Sequence, residues 1–143
     1  MNTKPTFVIL AAEDDEDDRF LLSEAFARHQ PGCQLQFFQD GQQLLDALAE
    51  QETSPLPAVI LLDLNMPVLN GLDTLKLLKA DVRLRQVPVL MLTTSNRDED
   101  IEQCYAAGAN AYMTKPSTYS ELARQLDCTL QYWLKTVQLP SGR

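Results

Sequence analysis

The sequence predicts an α/β fold in which five parallel strands form one doubly wound sheet, a (βα)5 arrangement. Short apolar runs alternate along the chain with longer segments of helical spacing. The strongest runs, residues 58–62 and 87–92, show no polar alternation, which is typical of strands covered on both faces. The length of 143 residues and an apolar content of 45% fit one ordinary globular domain spanning the chain.

Apolar spacing and turn residues place each element in order. An apolar run at residues 7–12 is the first strand, and apolar residues at helical spacing predict a helix near 17–29. A short run at 35–38 is the second strand, and Asp40-Gly41 opens a helix near 41–51. The remaining strands are predicted at 58–62, 87–92 and 109–113, and the remaining helices near 72–80, 98–107 and 118–136. Gly108 is expected to end the fourth helix as a left-handed C-cap.

Charge and composition exclude several classes of function. A formal net charge of −8 argues against binding to nucleic acid or to an anionic membrane surface. The three cysteines are far apart and form no C-x-x-C pair, so neither a disulfide framework nor a zinc site is indicated. No signal peptide or membrane span is apparent, which predicts a cytoplasmic protein. Only a short stretch follows Lys115, so a DNA-binding output domain is not expected.

Polar side chains follow the ends of four predicted strands, where an open α/β sheet places its sites. They are Glu13 and Asp14 after the first strand, Asp63 and Asn65 after the third, Thr93, Thr94 and Ser95 after the fourth, and Thr114 and Lys115 after the fifth. Carboxylates that meet in one place stay ionised only beside a cation or a donor, and Mg²⁺ prefers oxygen ligands. A lysine and a hydroxyl beside them suit the oxygens of a phosphoryl group.

Asp63 is the best candidate nucleophile because it ends the most buried strand, at the centre of the group. Each residue alone has a simpler interpretation. Asp63 could cap a turn, and Glu13 and Asp14 could belong to a solvated acidic run over residues 13–18. Thr93 could be an ordinary strand end and Lys115 a surface lysine. Their joint occurrence at successive strand ends favours a site.

The chain resembles the receiver domains of two-component response regulators, which have a flavodoxin-like (βα)5 fold. The resemblance covers residues from about 6 to 135 and leaves 136–143 as a short tail. The motifs that carry it are Glu13-Asp14-Asp15, Leu62-Asp63-Leu64-Asn65-Met66-Pro67 with Gly71, Pro88-Val89-Leu90-Met91-Leu92-Thr93-Thr94, and Gly108-Ala109-Asn110-Ala111-Tyr112-Met113-Thr114-Lys115-Pro116.

The resemblance implies that Asp63 accepts a phosphoryl group from a phosphohistidine on a sensor histidine kinase. It implies that Asp14 and Asp63 bind Mg²⁺ directly with the backbone carbonyl of Asn65, while Glu13 holds the ion, often through water. A protein of this kind is a phosphoacceptor that promotes its own phosphotransfer and autodephosphorylation, and it signals by protein contact.

The resemblance also assigns roles after the fourth and fifth strands. Lys115 is expected to pair with Asp63 and then with the phosphoryl group, and the bond from Lys115 to Pro116 is expected to be cis. Thr93 is expected to bind the phosphoryl group and swing inward, followed by Tyr112 as the aromatic half of the switch. Thr94 belongs to the phosphate-binding group and is bulkier than the residue often found there, which would slow the approach of water.

Some residues of this region have no motif role. Asp15 and Asp17 are interpreted as solvated or N-capping acids. His29, the only histidine, falls near the end of the first helix and is not a phosphodonor candidate. Ala11, Ala12 and Ser117 depart from the commonest residues of the family without removing a chemical group.

The C-terminal segment, residues 132–140, is similar to the tail of small receiver-only regulators that partner phytochrome-type histidine kinases. In that subgroup helix four, strand five, helix five and the tail form a homodimer. Leu126, Leu130, Trp133 and Val137 lie at helical spacing and could form this face. Packing on the chain's own sheet is favoured for Leu126 and Leu130, and both interpretations stay open for Trp133. Residues beyond about 130 are expected to overhang the sheet.

Four other classes were compared with the pattern. A phosphatase of the haloacid dehalogenase type needs a second Asp where Asn65 stands, and a flavodoxin needs a phosphate loop where this chain is acidic. A calcium-binding EF-hand needs a mid-loop Gly and a later Glu that are missing. The serious alternative is a phosphorylation-independent pseudo-receiver that acts only as an interaction module.

Overall fold

The computed structural model describes residues 8–29, 34–50 and 55–140, which form five strands and five α-helices in alternation. The strands are β1 Val8–Ala12, β2 Gln34–Phe38, β3 Val59–Leu62, β4 Val89–Thr93 and β5 Ala111–Thr114. The helices are α1 Glu16–His29, α2 Gly41–Glu50, α3 Gly71–Ala80, α4 Asp98–Ala106 and α5 Tyr119–Gln131. The predicted fold class is confirmed, with element bounds that shift by a few residues at most.

The strands form one parallel sheet in the order β2-β1-β3-β4-β5. Ala12 at the end of β1 pairs with Leu62 at the end of β3, and Thr93 at the end of β4 pairs with Thr114 at the end of β5. The strand order changes direction between β1 and β3, because β2 is added on one side of β1 whereas β3, β4 and β5 are added on the other. Open α/β sheets bind ligands at this position. The register therefore brings the residues that follow β1, β3, β4 and β5 to one edge.

Two apolar cores cover the two faces of the sheet. Successive strand residues alternate between them, so Leu10 packs with α2, α3 and α4 while Ile9 packs with α1 and α5. All four residues of β3 are buried, which explains why that strand has no polar alternation in sequence. Strand β3 is thus held from both sides, and the residue that follows it has a fixed backbone position.

The junction between α4 and β5 shows why the fifth strand begins later than predicted. Gly108 has a φ of 109° and donates its N–H to the carbonyl of Tyr105, which confirms the left-handed end of α4. The side-chain oxygen of Asn110 accepts the N–H of Val89 and the ammonium of Lys79. Asn110 thus ties the loop to the start of β4, and β5 begins after it.

The C-terminal helix continues past Gln131 as a π-helical turn, Tyr132–Thr136, in which the N–H of Val137 bonds to the carbonyl of Tyr132. Leu126 and Leu130 are buried in the core of their own chain, as favoured from the sequence. The wider π-helical turn brings Leu134 onto the same core, so the chain beyond residue 130 still packs against its own domain, and the expected overhang past the sheet stays a prediction. Trp133 is half-buried against that core.

Two of the three cysteines lie in the part of the chain that the structure describes. Cys104 is buried and Cys128 exposed, both as free thiols, whereas Cys33 lies outside the described residues. His29 is the last residue of α1, as predicted. Within residues 8–29, 34–50 and 55–140, none of the helices has the length and apolar character that crossing a bilayer requires.

Candidate functional site

The structure brings the three predicted carboxylates together at the carboxyl edge of the sheet. Glu13 and Asp14 directly follow β1, and Asp63 directly follows β3. The neighbouring strands hold them there, since the N–H of Asp63 donates to the carbonyl of Ala12 at 3.1 Å. One oxygen from each of the three side chains lies within 4.8 Å of the others. These three side chains could therefore hold one metal ion between them.

The carboxylates differ in exposure. Glu13 is 3% exposed and Asp63 is 8% exposed, whereas Asp14 is exposed to solvent. One side-chain oxygen of Asp63 accepts the N–H of Asn65 at 3.2 Å, and the other lies near an ammonium. Burying ionised carboxylates is costly unless they are paired, so the site needs positive charge.

Lys115 supplies part of that charge from the end of β5. Its backbone N–H donates to the carbonyl of Thr93 at 2.7 Å, which fixes where the side chain starts. The ammonium nitrogen lies 2.7 Å from a Glu13 oxygen and 3.3 Å from an Asp63 oxygen. The Lys115 side chain is only 5% exposed. Lys115 and Asp63 are therefore adjacent, as expected from the sequence.

Sequence reasoning missed one member of the site, Asp18. Its carboxylate lies 2.7 Å from the Lys115 ammonium, closer than that of Asp63. Asp18 belongs to the run of six acids over residues 13–18, which is typical of a solvated loop. Asp15, in the same run, accepts the N–H of Asp18 and so fits the N-capping interpretation. Asp18 sits three residues into α1, and that position relative to the start of the helix was the only available signal.

The electrostatics show that the site lacks positive charge. Burial raises the pKa of Glu13 to about 7, against the lowering effect of Lys115, and Asp63 adds to the rise. Burial alone would lower the pKa of Lys115, but its hydrogen bonds to Asp18 and Glu13 raise that pKa above its usual value. One ammonium thus contacts three carboxylates, and a fourth, that of the exposed Asp14, lies beside two of them. An all-oxygen donor set with this deficit fits a hard divalent cation.

The two residues that the family resemblance assigns to a switch, Thr93 and Tyr112, lie at the end of β4 and within β5. Thr93 is fully buried, and its hydroxyl oxygen is 3.5 Å from the N–H of Ser95. The Tyr112 hydroxyl donates to the carbonyl of Ser95 at 2.9 Å, and the Thr114 hydroxyl donates to the same carbonyl at 3.3 Å. Ser95 therefore joins the end of β4 to Tyr112, a connection that sequence did not reveal. Thr94 is exposed.

One expectation for this region is wrong. The described residues contain no cis peptide bond, so the bond from Lys115 to Pro116 is trans. Trans is the intrinsically favoured isomer even before proline, and the short link from the Lys115 N–H to β4 forms with it.

Sequence comparison places these features in a known family. The family profile described as "Response regulator receiver domain" matches residues 9–127. Response regulator Rcp1 of Synechocystis sp. is 34% identical over 98% of this chain and 97% of its own length. The probable methanogenesis regulatory protein FilR2 of Methanothrix harundinacea is also 34% identical, over 94% of this chain and 88% of its own.

Structural comparison gives the same result. The phosphorylated cyanobacterial phytochrome response regulator RcpA superposes with a TM-score of 0.91 at 32% identity, covering 96% of this chain and 100% of that one. The Mn²⁺-bound form of Rcp1 superposes with a TM-score of 0.88 over 94% of this chain and 99% of that one. The resemblance seen in the sequence motifs is confirmed by both comparisons.

Proposed function

As the chain belongs to the response regulator receiver domain family, we propose that it is a single-domain regulator that accepts a phosphoryl group on Asp63 from the phosphohistidine of a sensor histidine kinase. The observation that carries this proposal is the grouping of Asp63 with two further carboxylates and the Lys115 ammonium. The Asp63 oxygen forms a bond to phosphorus while the phosphorus–nitrogen bond of the donor breaks. The electron pair of that bond remains on the imidazole.

The donor set fits Mg²⁺ as the cofactor. Glu13, Asp14 and Asp63 would hold the ion with the backbone carbonyl of Asn65. A bound Mg²⁺ would offset the negative charge that builds up between the phosphoryl oxygens and the acceptor. The raised pKa of Glu13 supports this assignment, because that buried carboxylate is short of compensating positive charge in the protein alone.

The remaining residues bind the phosphoryl group and transmit its presence. Lys115 donates to a phosphoryl oxygen, and Thr93 and Thr94 offer hydroxyls from the end of β4. A shift of Thr93 toward the phosphoryl group would pull on the Ser95 segment, whose carbonyl holds Tyr112. The α4–β5–α5 face would change with it and alter protein contacts. A net charge of −8 makes nucleic acid a poor target for that face.

Acetyl phosphate with and without Mg²⁺ tests the acceptor. Intact mass should show one added phosphoryl group on the wild type with Mg²⁺, and none on Asp63→Ala. Asp46→Asn is the matched control, because Asp46 is an exposed residue of α2 outside the carboxylate group. A wild type that never gains the group would support the pseudo-receiver alternative instead.

We propose a phytochrome-type kinase as the donor, since RcpA, which this chain resembles in sequence and fold, is a phytochrome response regulator. Purified histidine kinases of the source cell, each autophosphorylated, should be compared for the rate of transfer to this chain. Transfer that is fastest from a kinase with no light-sensing domain would reject this part of the proposal, and the similar identity to FilR2 makes that comparison necessary.

We also propose a homodimer through the α4–β5–α5 face and the tail. Tyr132 is exposed and its ring meets that of Trp133 edge-on, with centroids 5.5 Å apart, which leaves an aromatic pair at the surface. Sedimentation of the wild type, Trp133→Ala and a chain cut after Tyr132 tests this contact. Tyr132→Ala is the control that spares the core, because Trp133 also packs internally. Identical species for all four, phosphorylated or not, would exclude the tail from assembly.

A further inference from the structure

We propose that Asp18 is a positioning residue that anchors the Lys115 ammonium beside the acceptor independently of the metal ion. The inference rests on the proposed function only in that Lys115 is taken to serve the phosphoryl group. Asp18 lies outside the three carboxylates that could share a cation. It has no role in the family motif, so its contact with Lys115 is what assigns it.

Three carboxylates surround the Lys115 ammonium at unequal distances. Lys115 has three N–H donors and three carboxylate neighbours, at 2.7 Å for Asp18, 2.7 Å for Glu13 and 3.3 Å for Asp63. The two short contacts are charge-assisted hydrogen bonds, whereas the contact to the acceptor is longer. Asp18 and Glu13 thus determine where the nitrogen lies, and Asp63 is the neighbour they place it next to.

Glu13, the second short contact of the ammonium, is also a candidate ligand of the metal ion. One Glu13 oxygen accepts from Lys115 and the other accepts the N–H of Asp15 at 3.1 Å, so both are already engaged. A divalent cation held by Glu13 would repel the Lys115 ammonium beside it. The contact between Glu13 and Lys115 would therefore weaken on metal binding. Asp18 has no such conflict and remains as the short contact of Lys115.

Asp18 is itself held in place by its own helical turn. It lies in the first turn of α1, where its N–H donates to the side chain of Asp15 at 3.0 Å. The neighbouring Arg19 donates from its guanidinium to the backbone carbonyl of Glu13 at 2.8 Å. The turn that carries Asp18 is therefore tied to the strand end that carries Glu13. A carboxylate on such a turn can fix a long, flexible lysine side chain.

A metal-free experiment tests the anchor directly. Asp18→Asn keeps the shape and removes the charge, and Asp17→Asn is the matched control. Asp17 is exposed and lies in the same helical turn, and its side chain makes no hydrogen bond or ion pair with the residues that the structure describes. An amine-acylating reagent should label Lys115 about tenfold faster in Asp18→Asn than in Asp17→Asn, the change that about 1.4 kcal/mol produces. Peptide mass spectrometry measures the Lys115 rate against the other lysines.

A second measurement separates positioning from a merely structural pair. With Mg²⁺ and rising acetyl phosphate, the maximal phosphorylation rate of Asp18→Asn should fall by about tenfold relative to Asp17→Asn. The half-saturating acetyl phosphate concentration should match that of the control, because both variants lose one negative charge. A maximal rate equal to or above the control overturns the proposal, as does unchanged Lys115 labelling. A wild type that is not phosphorylated refutes the proposed function, while the labelling still decides the anchor.

Discussion

Replacing Gly71 with alanine should damage both stability and the acceptor. Gly71 is the first residue of α3, and its N–H donates to the carbonyl of Leu64 at 2.9 Å. A Cβ at this position would lie 2.2 Å from the backbone oxygen of Asp63 and 2.8 Å from the Cα of Leu64. Real Cβ contacts almost never fall below 3.0 Å, so the backbone must open by at least 0.8 Å, the difference between 3.0 and 2.2 Å.

The loss of stability expected for Gly71→Ala depends on which atoms the added Cβ displaces. Overpacking costs about 1–3 kcal/mol, and the upper end applies because the atoms in the way are backbone rather than a flexible side chain. We expect Gly71→Ala to lose about 3 kcal/mol, which lowers the unfolding midpoint by about 10 °C for a chain of this size. A displacement of about 1 Å at a reacting group reduces its rate by about a hundredfold. Urea denaturation by circular dichroism and intact mass after acetyl phosphate measure the two effects.

Gly41→Ala is the matched control. Its Cβ would lie 1.7 Å from the Thr74 hydroxyl, so it should also destabilise, but it does not approach Asp63. Thr74 is fully buried, which prevents an easy escape of that side chain. Phosphorylation of the folded fraction should therefore survive in Gly41→Ala and fail in Gly71→Ala. Equal phosphorylation rates in the two variants, or a Gly71→Ala protein as stable as wild type, would refute the steric reasoning.

Two further predictions concern the metal ion and a strained turn. Mg²⁺ at 10 mM should raise the free energy of unfolding by about 2 kcal/mol if its dissociation constant is about 0.5 mM. Asp14→Asn should abolish this gain, whereas Asp17→Asn should keep most of it. Equal losses in the two variants would indicate a diffuse charge effect. Val68→Asn should stabilise by about 1 kcal/mol, because Val68 has a φ of 67° with its side chain 82% exposed. The exposed Val82 has no positive φ, so Val82→Asn should show no such gain.

The fold was predictable because its signals are local. Continuous apolar runs identified β3 and β4, and Gly108 marked the end of α4 with the conformation that glycine permits. Strand ends then placed Glu13, Asp14, Asp63 and Lys115 at one edge, since parallel strands share a direction. These inferences needed only periodicity and topology.

The parts that sequence did not provide depend on contacts between distant residues. Asp18 and Lys115 are 97 positions apart, and nothing in an acidic run shows which carboxylate turns toward a lysine. The π-helical turn after α5 changed which residue reached the core, so a stripe drawn at regular helical spacing placed Trp133 where Leu134 is the buried residue. A cis bond before Pro116 is implied only by the family resemblance, and the structure has this bond trans.

The half-buried edge strand β5 gives the two sides of the site unequal resistance to local opening. Asp63 follows β3, whose amides are paired on both sides and covered on both faces, so their hydrogen exchange should require global unfolding. Lys115 follows β5, which is paired on one side only and only partly covered. Brief fraying of that edge would withdraw the ammonium while leaving the acceptor in place. Amide exchange over residues 111–115 would then report how often the acceptor is without its lysine.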